Sequence, residues 1–299
     1  MNLPPRVAEW KASGQFIELS GHRLFYRDSR GGNDVIVCLH GFPTSSFDWL
    51  PVWAALSENH RLIAHDLLGF GLSDKPTGHD YTIAEQTDLL LALLKTLGVE
   101  RAHLLSHDYG SILAQELMAR AGAGQAVGAL HIDSVTFLNG ALFPEMHRPR
   151  LAQSLLLSPL GWLVARLFNE KKFGRSFSAI FAADTRPTEK EIKEFWSLIE
   201  VNEGARVMHR LINYIRERRQ FRDRWVNGMI DSPIPTLLVN GLDDPVSGAH
   251  LLTHARQHMS RASFVELPGI GHYPQVEAPE QVIDAFLDFV MAIRSKPML

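Results

Sequence analysis

The sequence predicts an α/β architecture: one mostly parallel, eight-stranded sheet flanked by helices, with an inserted helical segment. Three observations predict it. Short apolar runs alternate with helical patterns along most of the chain, and such alternation argues for a parallel sheet covered on both faces. The runs VIVCLH (35–40) and RLIAHD (61–66) are apolar throughout, as strands buried on both sides are. Between about 142 and 230 the rhythm stops, and the chain becomes helical in pattern, rich in arginine and aromatics, with no convincing strand.

FIELS (16–20) and HRLFYRD (22–28) flank Gly21 and predict a hairpin. After the two buried runs, YTIAEQTDLLLALLKTLG (81–98) has apolar residues at helical spacing and a glycine stop. AHLLSHD (102–108) reads as a strand running into the helix of YGSILAQELMARAG. ALHIDSVTF (129–137), PTLLVNG (235–241) and ASFVELPG (262–269) complete the strands, and AFLDFVMAIR (285–294) closes the chain as a helix. The domain expectation is a core of residues 1–141 and 231–299 interrupted by a helical cap at 142–230. Within the cap, RRQFRDRW (218–225) reads as a solvated helix face, and LLLSPLGWLVARLF (155–168) as a helical hairpin over a pocket.

The chain has 299 residues, with 45% hydrophobic and 21% charged, ordinary for a globular enzyme with one large core. Its net charge of −3 gives no field favouring nucleic acid or an anionic membrane, so neither partner is expected. The single cysteine, Cys38, lies in a buried run and excludes a disulfide within the chain. The N-terminus lacks the apolar core of a signal peptide, which sets a cytoplasmic location as the expectation. Pro159 and Gly161 interrupt the most apolar stretch, which falls short of the roughly 20 residues a spanning helix needs. Neither a zinc-type spacing nor a glycine-rich phosphate loop stands out, so no metal or cofactor is expected, and the oligomeric state is open.

The chemistry concentrates in Ser106-His107-Asp108-Tyr109-Gly110. A nucleophile elbow holds its reactive residue at a strained strand-to-helix turn, and small residues two before and two after relieve the crowding. Ser106 and Gly110 are those small residues, which places Asp108 as the nucleophile. A register on Ser106 would set Leu104 and Asp108 as flanks, and one on Ser111 would set Tyr109 and Leu113. Both are too bulky. His40-Gly41-Phe42-Pro43 ends the earlier buried strand, on the sheet edge where such folds place their sites. The Phe42 N–H, together with that of Tyr109, is the expected oxyanion hole. Gly241-Leu242-Asp243-Asp244-Pro245 and Gly271-His272-Tyr273-Pro274 follow the last two strands. His272 is the candidate base, and a carboxylate would orient it. Asp243 and Asp244 compete for that task, with the spacing before Pro245 favouring Asp244.

HGFPTSSFDW, DLLGFGLSDKP (66–76), SHDYG, GLDDP and GHYPQVEAPE together resemble the epoxide hydrolase and haloalkane dehalogenase branch of the α/β-hydrolase superfamily. SHDYGSILAQEL, NGALFPEMHRP (139–149), TRPTEKE (185–191), QFRDRW (220–225) and HYPQVE further resemble the mesoderm-specific transcript group within it. The resemblance implies the α/β-hydrolase fold and a two-step hydrolysis of a small hydrophobic substrate. Asp108 attacks carbon to form an alkyl-enzyme ester, and His272 then activates water against that ester.

Two leaving groups separate the expected activities. An epoxide oxygen leaves as an alkoxide and needs an acid, whereas a halide needs only N–H donors. Dehalogenases of the branch usually carry Trp after the nucleophile, where Tyr109 stands, and some carry Asn where Phe42 stands. PTSS (43–46), Asn139 and the tryptophans Trp162, Trp196 and Trp225 point the other way. The epoxide hydrolases normally present two lid tyrosines. Here Tyr214 alone falls in the lid, offset by one from the family's position, which Ile215 occupies. Tyr214 acting alone, or the Tyr109 hydroxyl, is the expected acid. Tyr214, Asn139, Trp162 and His40 are thus the candidate substrate-binding residues. The expected function is epoxide hydrolysis, with haloalkane dehalogenation as the alternative and a non-catalytic interaction protein of the same fold behind both.

Overall fold

The computed structural model describes residues 3–32, 34–124, 127 and 130–295. All eight expected strands are present, in one sheet: β1 (Gln15–Leu19), β2 (His22–Asp28), β3 (Asp34–Leu39), β4 (His60–His65), β5 (Arg101–His107), β6 (His131–Leu138), β7 (Thr236–Gly241) and β8 (Ser263–Leu267). Their spatial order is β1-β2-β4-β3-β5-β6-β7-β8. The β1–β2 hairpin and the β2–β4 pair are antiparallel, and all other pairs are parallel. The expected start of β6 at residue 129 lies outside the described residues.

Local chemistry explains the turns. Leu19 pairs with His22 across Ser20 and Gly21, whose φ values are 51° and 80°. Positive φ at both central residues is the hairpin turn whose twist matches the strands it joins. The helix expected over 81–98 runs Ile83–Thr96, with the Thr82 side chain accepting from the Glu85 N–H. The closing helix starts earlier than its apolar pattern, at Pro279, and ends at Arg294. Proline suits a first helical position because the N–H it lacks has no partner there.

The segment between β6 and β7 is helical among its described residues, with α-helices at Leu151–Leu156, Gly161–Arg166, Glu170–Ser178, Glu189–Glu200, Met208–Leu211, Tyr214–Gln220 and Arg222–Ile230. Its C-terminal end corrects the reading of RRQFRDRW as a solvated face. Arg224 bonds Glu116 through two nitrogens, Trp225 donates its indole N–H to Glu116 at 2.7 Å, and Arg218 is buried. Glu116 sits on the core helix Gly110–Gly122 and also holds Arg120 at 2.7 Å. Burial would raise the Glu116 pKa, but Arg224, Arg120 and Trp225 together hold it below the usual range. The arginine-rich run is therefore a docking element, because a half-buried carboxylate on the core offers it a charge partner that the local sequence does not show.

Candidate active site

The site lies at the C-terminal ends of β3, β5, β6, β7 and β8, the edge the sequence points to. Asp108 follows β5 with φ of 44°, a left-handed conformation that costs a branched-chain-free Asp about 1 kcal/mol or more. The turn is possible because Gly110 approaches β3 closely: a Cβ there would stand 2.3 Å from the Leu39 carbonyl oxygen. Gly41 makes the second close approach, and a Cβ on it would lie 2.7 Å from His107 Nδ1 and 3.0 Å from Asp108 Cβ. That proximity lets the Phe42 N–H donate to Asp108 Oδ1 at 3.0 Å. Tyr109 caps the helix behind the elbow and is fully buried.

His272 stands between two carboxylates. Its Nε2 is 3.5 Å from Asp108 Oδ2 and its Nδ1 2.7 Å from Asp244 Oδ2. Asp243 is exposed, so the geometry selects Asp244 from the adjacent pair. Asp244 also accepts from the Val246 and Ser247 N–H groups, the Ser247 hydroxyl and the Asn139 amide. These donors keep it ionised although buried: burial raises its pKa, and His272 with the hydrogen bonds brings it below the ordinary range. Asp108 behaves likewise. Burial alone would raise it, but His272, His107 and the Phe42 N–H hold its carboxyl well below the usual value. Burial opposes charge on His272, yet the two flanking carboxylates prevail and push it up to about 10. The triad is thus an ionised carboxylate, an imidazolium and a second carboxylate in a dry setting.

A cavity of about 70 Å³ opens onto Asp108 and His272. Phe42, Pro43 and Val246 line it from the core, and Arg150, Leu156, Phe168, Phe173, Phe177 and Met208 line it from the insert. None of the four sequence-expected binding residues, Tyr214, Asn139, Trp162 and His40, is among those that line it. Asn139 gives its amide to the Asp244 carboxylate and the Gly241 carbonyl and accepts from the Gly241 N–H, so it positions the acid and is no free donor to a ligand. His40 donates from Nδ1 to the Gly41 carbonyl and accepts the Leu67 N–H at Nε2. Burial lowers its pKa to about 3, which fixes it as a neutral brace of the loop. Trp162 is 46% exposed under Arg166, outside the cavity lining. Of the other lid tryptophans, Trp225 is bonded to Glu116, and Trp196 packs on Phe168 and Phe173.

Tyr214 is buried, its ring 5.0 Å from that of Tyr109 and 5.9 Å from that of Phe42. The Tyr109 hydroxyl is buried without a partner among the described residues. Burial raises the Tyr214 pKa well above the ordinary value and the Asp108 charge raises it further, while Arg218, one helical turn on, acts to lower it.

Sequence reasoning missed several residues here. His107 bonds the His272 carbonyl at 2.8 Å through Nε2 and packs against the His272 ring at 5.0 Å. Glu277 accepts from the Gly271, Tyr273 and Ala182 N–H groups and from Thr185, tying the histidine loop to the insert. Arg218 is buried, and its Nε has no partner among the described residues. The signal for Glu277 was its place in HYPQVE, four residues from Tyr273; Arg218 carried none. The fold also gathers one group with metal-type donors from three separate segments: His22, His79 and Glu85 lie with ligand atoms within 4.8 Å of one another. None of the three lines the cavity.

A family model described as "alpha/beta hydrolase fold" matches residues 34–279. The chain belongs to the α/β hydrolase fold family. Within that family it is 42% identical to the mesoderm-specific transcript protein of Mus musculus, over 96% of this chain and 89% of that protein. It is 36% identical to LipZ of Mycobacterium tuberculosis, over 96% of this chain and 99% of the other. Among solved structures, a haloalkane dehalogenase DbeA-M1 loop variant from Bradyrhizobium elkanii superposes with a TM-score of 0.79, at 21% identity, over 95% of this chain and 97% of that one. At that identity the superposition shows the fold.

Proposed function

We propose that this α/β hydrolase opens epoxides to diols through a covalent ester on Asp108. The observation that carries the reading is a carboxylate at the elbow, held between the Phe42 N–H and an imidazolium whose far side is fixed by Asp244. Asp108 Oδ2 attacks one ring carbon, the ring C–O bond breaks, and its electron pair goes to the departing oxygen. The Tyr214 hydroxyl supplies the proton that oxygen needs. Arg218 beside it favours the resulting phenolate.

Ester formation changes the base. Once alkylated, Asp108 no longer carries a charge, so His272 loses one of the two carboxylates that raise its pKa. It then gives up its proton more readily, by way of solvent to the Tyr214 phenolate, and takes one from water attacking the ester carbonyl. Collapse of the tetrahedral intermediate breaks the ester C–O bond. The new carboxylic acid gives its proton to the departing alkoxide, which releases the diol and restores the Asp108 carboxylate. The oxyanion forms on the oxygen that already accepts from Phe42, with Tyr109 N–H as the second donor. Dehalogenation by the same nucleophile is the second reading: Asn139 is engaged by Asp244 rather than free to hold a halide. The lining itself holds no tryptophan, asparagine or tyrosine and does not separate the two.

His272→Ala incubated with styrene oxide should retain an alkyl adduct on the peptide bearing Asp108, visible by mass spectrometry, with no diol released. A variant that shows neither adduct nor turnover, on an epoxide the native protein hydrolyses, would sink the covalent route. Bromide release from 1,2-dibromoethane without diol formation from any epoxide would transfer the assignment to dehalogenation.

A further inference from the structure

Eight large apolar side chains stand exposed among the described residues, and six belong to one hairpin: Leu151, Leu155, Leu160, Trp162, Leu163 and Leu167, from 39% to 77% exposed. Two short helices build it, Leu151–Leu156 and Gly161–Arg166. A chain that buries nearly all its other large apolar residues leaves such a patch open only where something covers it. The surrounding charge narrows the choice. Between residues 148 and 175 there are six cations, Arg148, Arg150, Arg166, Lys171, Lys172 and Arg175, and one carboxylate, Glu170, in a chain whose net charge is −3. All six cations are exposed, and none forms an ion pair among the described residues.

We propose that this hairpin docks on an anionic lipid bilayer, with its leucines in the acyl boundary and its cations among the headgroups. An exposed apolar hairpin with Arg148, Arg150 and Arg166 on or next to it, and a tryptophan exposed among its leucines, has the features of a segment lying in a membrane interface. A protein partner is the outcome the test must exclude, because four of the six cations are arginine, which protein interfaces also favour. No helix among the described residues is long and apolar enough to cross a membrane, so the contact is one of lying on the surface. The sequence sets against membrane contact the net charge and a stretch at 155–168 too short and interrupted to span, and leaves surface contact by that stretch as the lesser reading. The fold exposes the stretch, with cations on it and on the helix that follows.

The hairpin also forms the outer wall of the cavity. Arg150, Ala152, Gln153, Leu156 and Phe168 line it together with Asp108 and His272. A docked hairpin would set the cavity against the acyl boundary, where hydrophobic substrates partition. This inference stands independently of the chemistry assigned to Asp108.

Five of the six tryptophans are buried, and Trp162 is exposed, so a change in tryptophan emission on adding vesicles reports the hairpin. The full chain is mixed with vesicles of phosphatidylcholine, or of equal parts phosphatidylcholine and phosphatidylglycerol, and followed by flotation and fluorescence. The expected result is flotation with the mixed vesicles, a blue shift absent in Trp162→Phe, and weakening by salt. The triple variant Leu155→Glu, Leu160→Glu, Leu163→Glu should lose at least about tenfold in partitioning with an unchanged melting temperature, since those side chains are exposed. A native chain that stays in solution with both vesicles overturns the proposal, as does binding that the triple variant leaves intact. Self-association that the triple variant abolishes, without vesicle binding, would assign the face to a second copy.

Discussion

On the sheet side of the cavity, Asp108, His272 and Asp244 are held by directed polar contacts to backbone and side chains. On the insert side the lining is mostly apolar, led by Phe168, Phe173 and Phe177, with Arg150, Gln153 and Ser176 as its polar members. The difference follows from the backbone each wall hangs on. Strand ends in a parallel sheet are fixed by the ladder, and the loops that follow inherit that fixity. The insert has no ladder and meets the core through side-chain packing and polar contacts spread over its length. Among them are the Glu116 cluster, Glu277, Lys75 on the Leu198 and Val201 carbonyls, and the His272 N–H on the Ile180 carbonyl. The groups to which the proposed reaction gives chemical roles thus sit on the wall fixed by the ladder, and most of the remaining lining comes from the insert.

Four outcomes would sharpen or break that contrast. The largest effect expected, beyond the His272 variant, is from Tyr214→Phe, which should slow epoxide opening by roughly 10²–10⁴ with the fold intact. An unchanged rate would move the acid to Tyr109. Asn139→Ala removes one donor to Asp244 from the rigid wall, and kcat should fall by about tenfold, with KM little changed. A rise in KM alone would instead mean that Asn139 meets substrate.

Glu116→Ala should leave Arg120 and Arg224 without their shared partner and destabilise the chain by about 1–3 kcal/mol, read as a lower urea midpoint. If the insert and core docked mainly by apolar packing, the midpoint would hardly move.

The smallest effect is in pH dependence. His272 is raised from 6.5 to about 10, so its contribution to stability is full below 6.5 and is lost as pH rises through 10. Asp108 is depressed from 3.8, so its contribution is full above 3.8 and is lost as pH falls through its lowered pKa. Unfolding free energy should therefore decline on the alkaline side, and in Asp108→Asn that decline should end at a lower pH. Superimposable alkaline limbs in urea titrations would show that Asp108 does not hold the His272 proton.

Much was legible without coordinates. Alternating apolar runs and helical periods fix the strands and their order in the chain, because side-chain period and burial follow from backbone geometry. The elbow pattern was legible because only small residues fit beside a strained turn, and Ser106 and Gly110 meet that demand locally; that Gly41 also comes against it is a long-range contact. The histidine and the pair Asp243-Asp244 were legible from their places after the last strands. The choice within the pair was not closed by spacing, since it depends on which side chain points inward to His272.

What the tertiary structure decided depends on partners distant in sequence. Asn139 reads as a free polar residue until Asp244, 105 residues away, is seen to hold it. RRQFRDRW reads as a solvated face until Glu116, 108 residues before Arg224 in the chain, is seen to hold Arg224 and Trp225, while Arg219, Gln220, Phe221 and Asp223 stay exposed. LLLSPLGWLVARLF reads as a hairpin over a pocket, and only the folded insert shows that Leu155, Leu160, Leu163 and Leu167 face outward while Leu156 lines the cavity. Local pattern determines what an element is, because backbone periodicity is local. Which of its faces meets protein, substrate space or solvent is set by long-range packing, and no local window contains that.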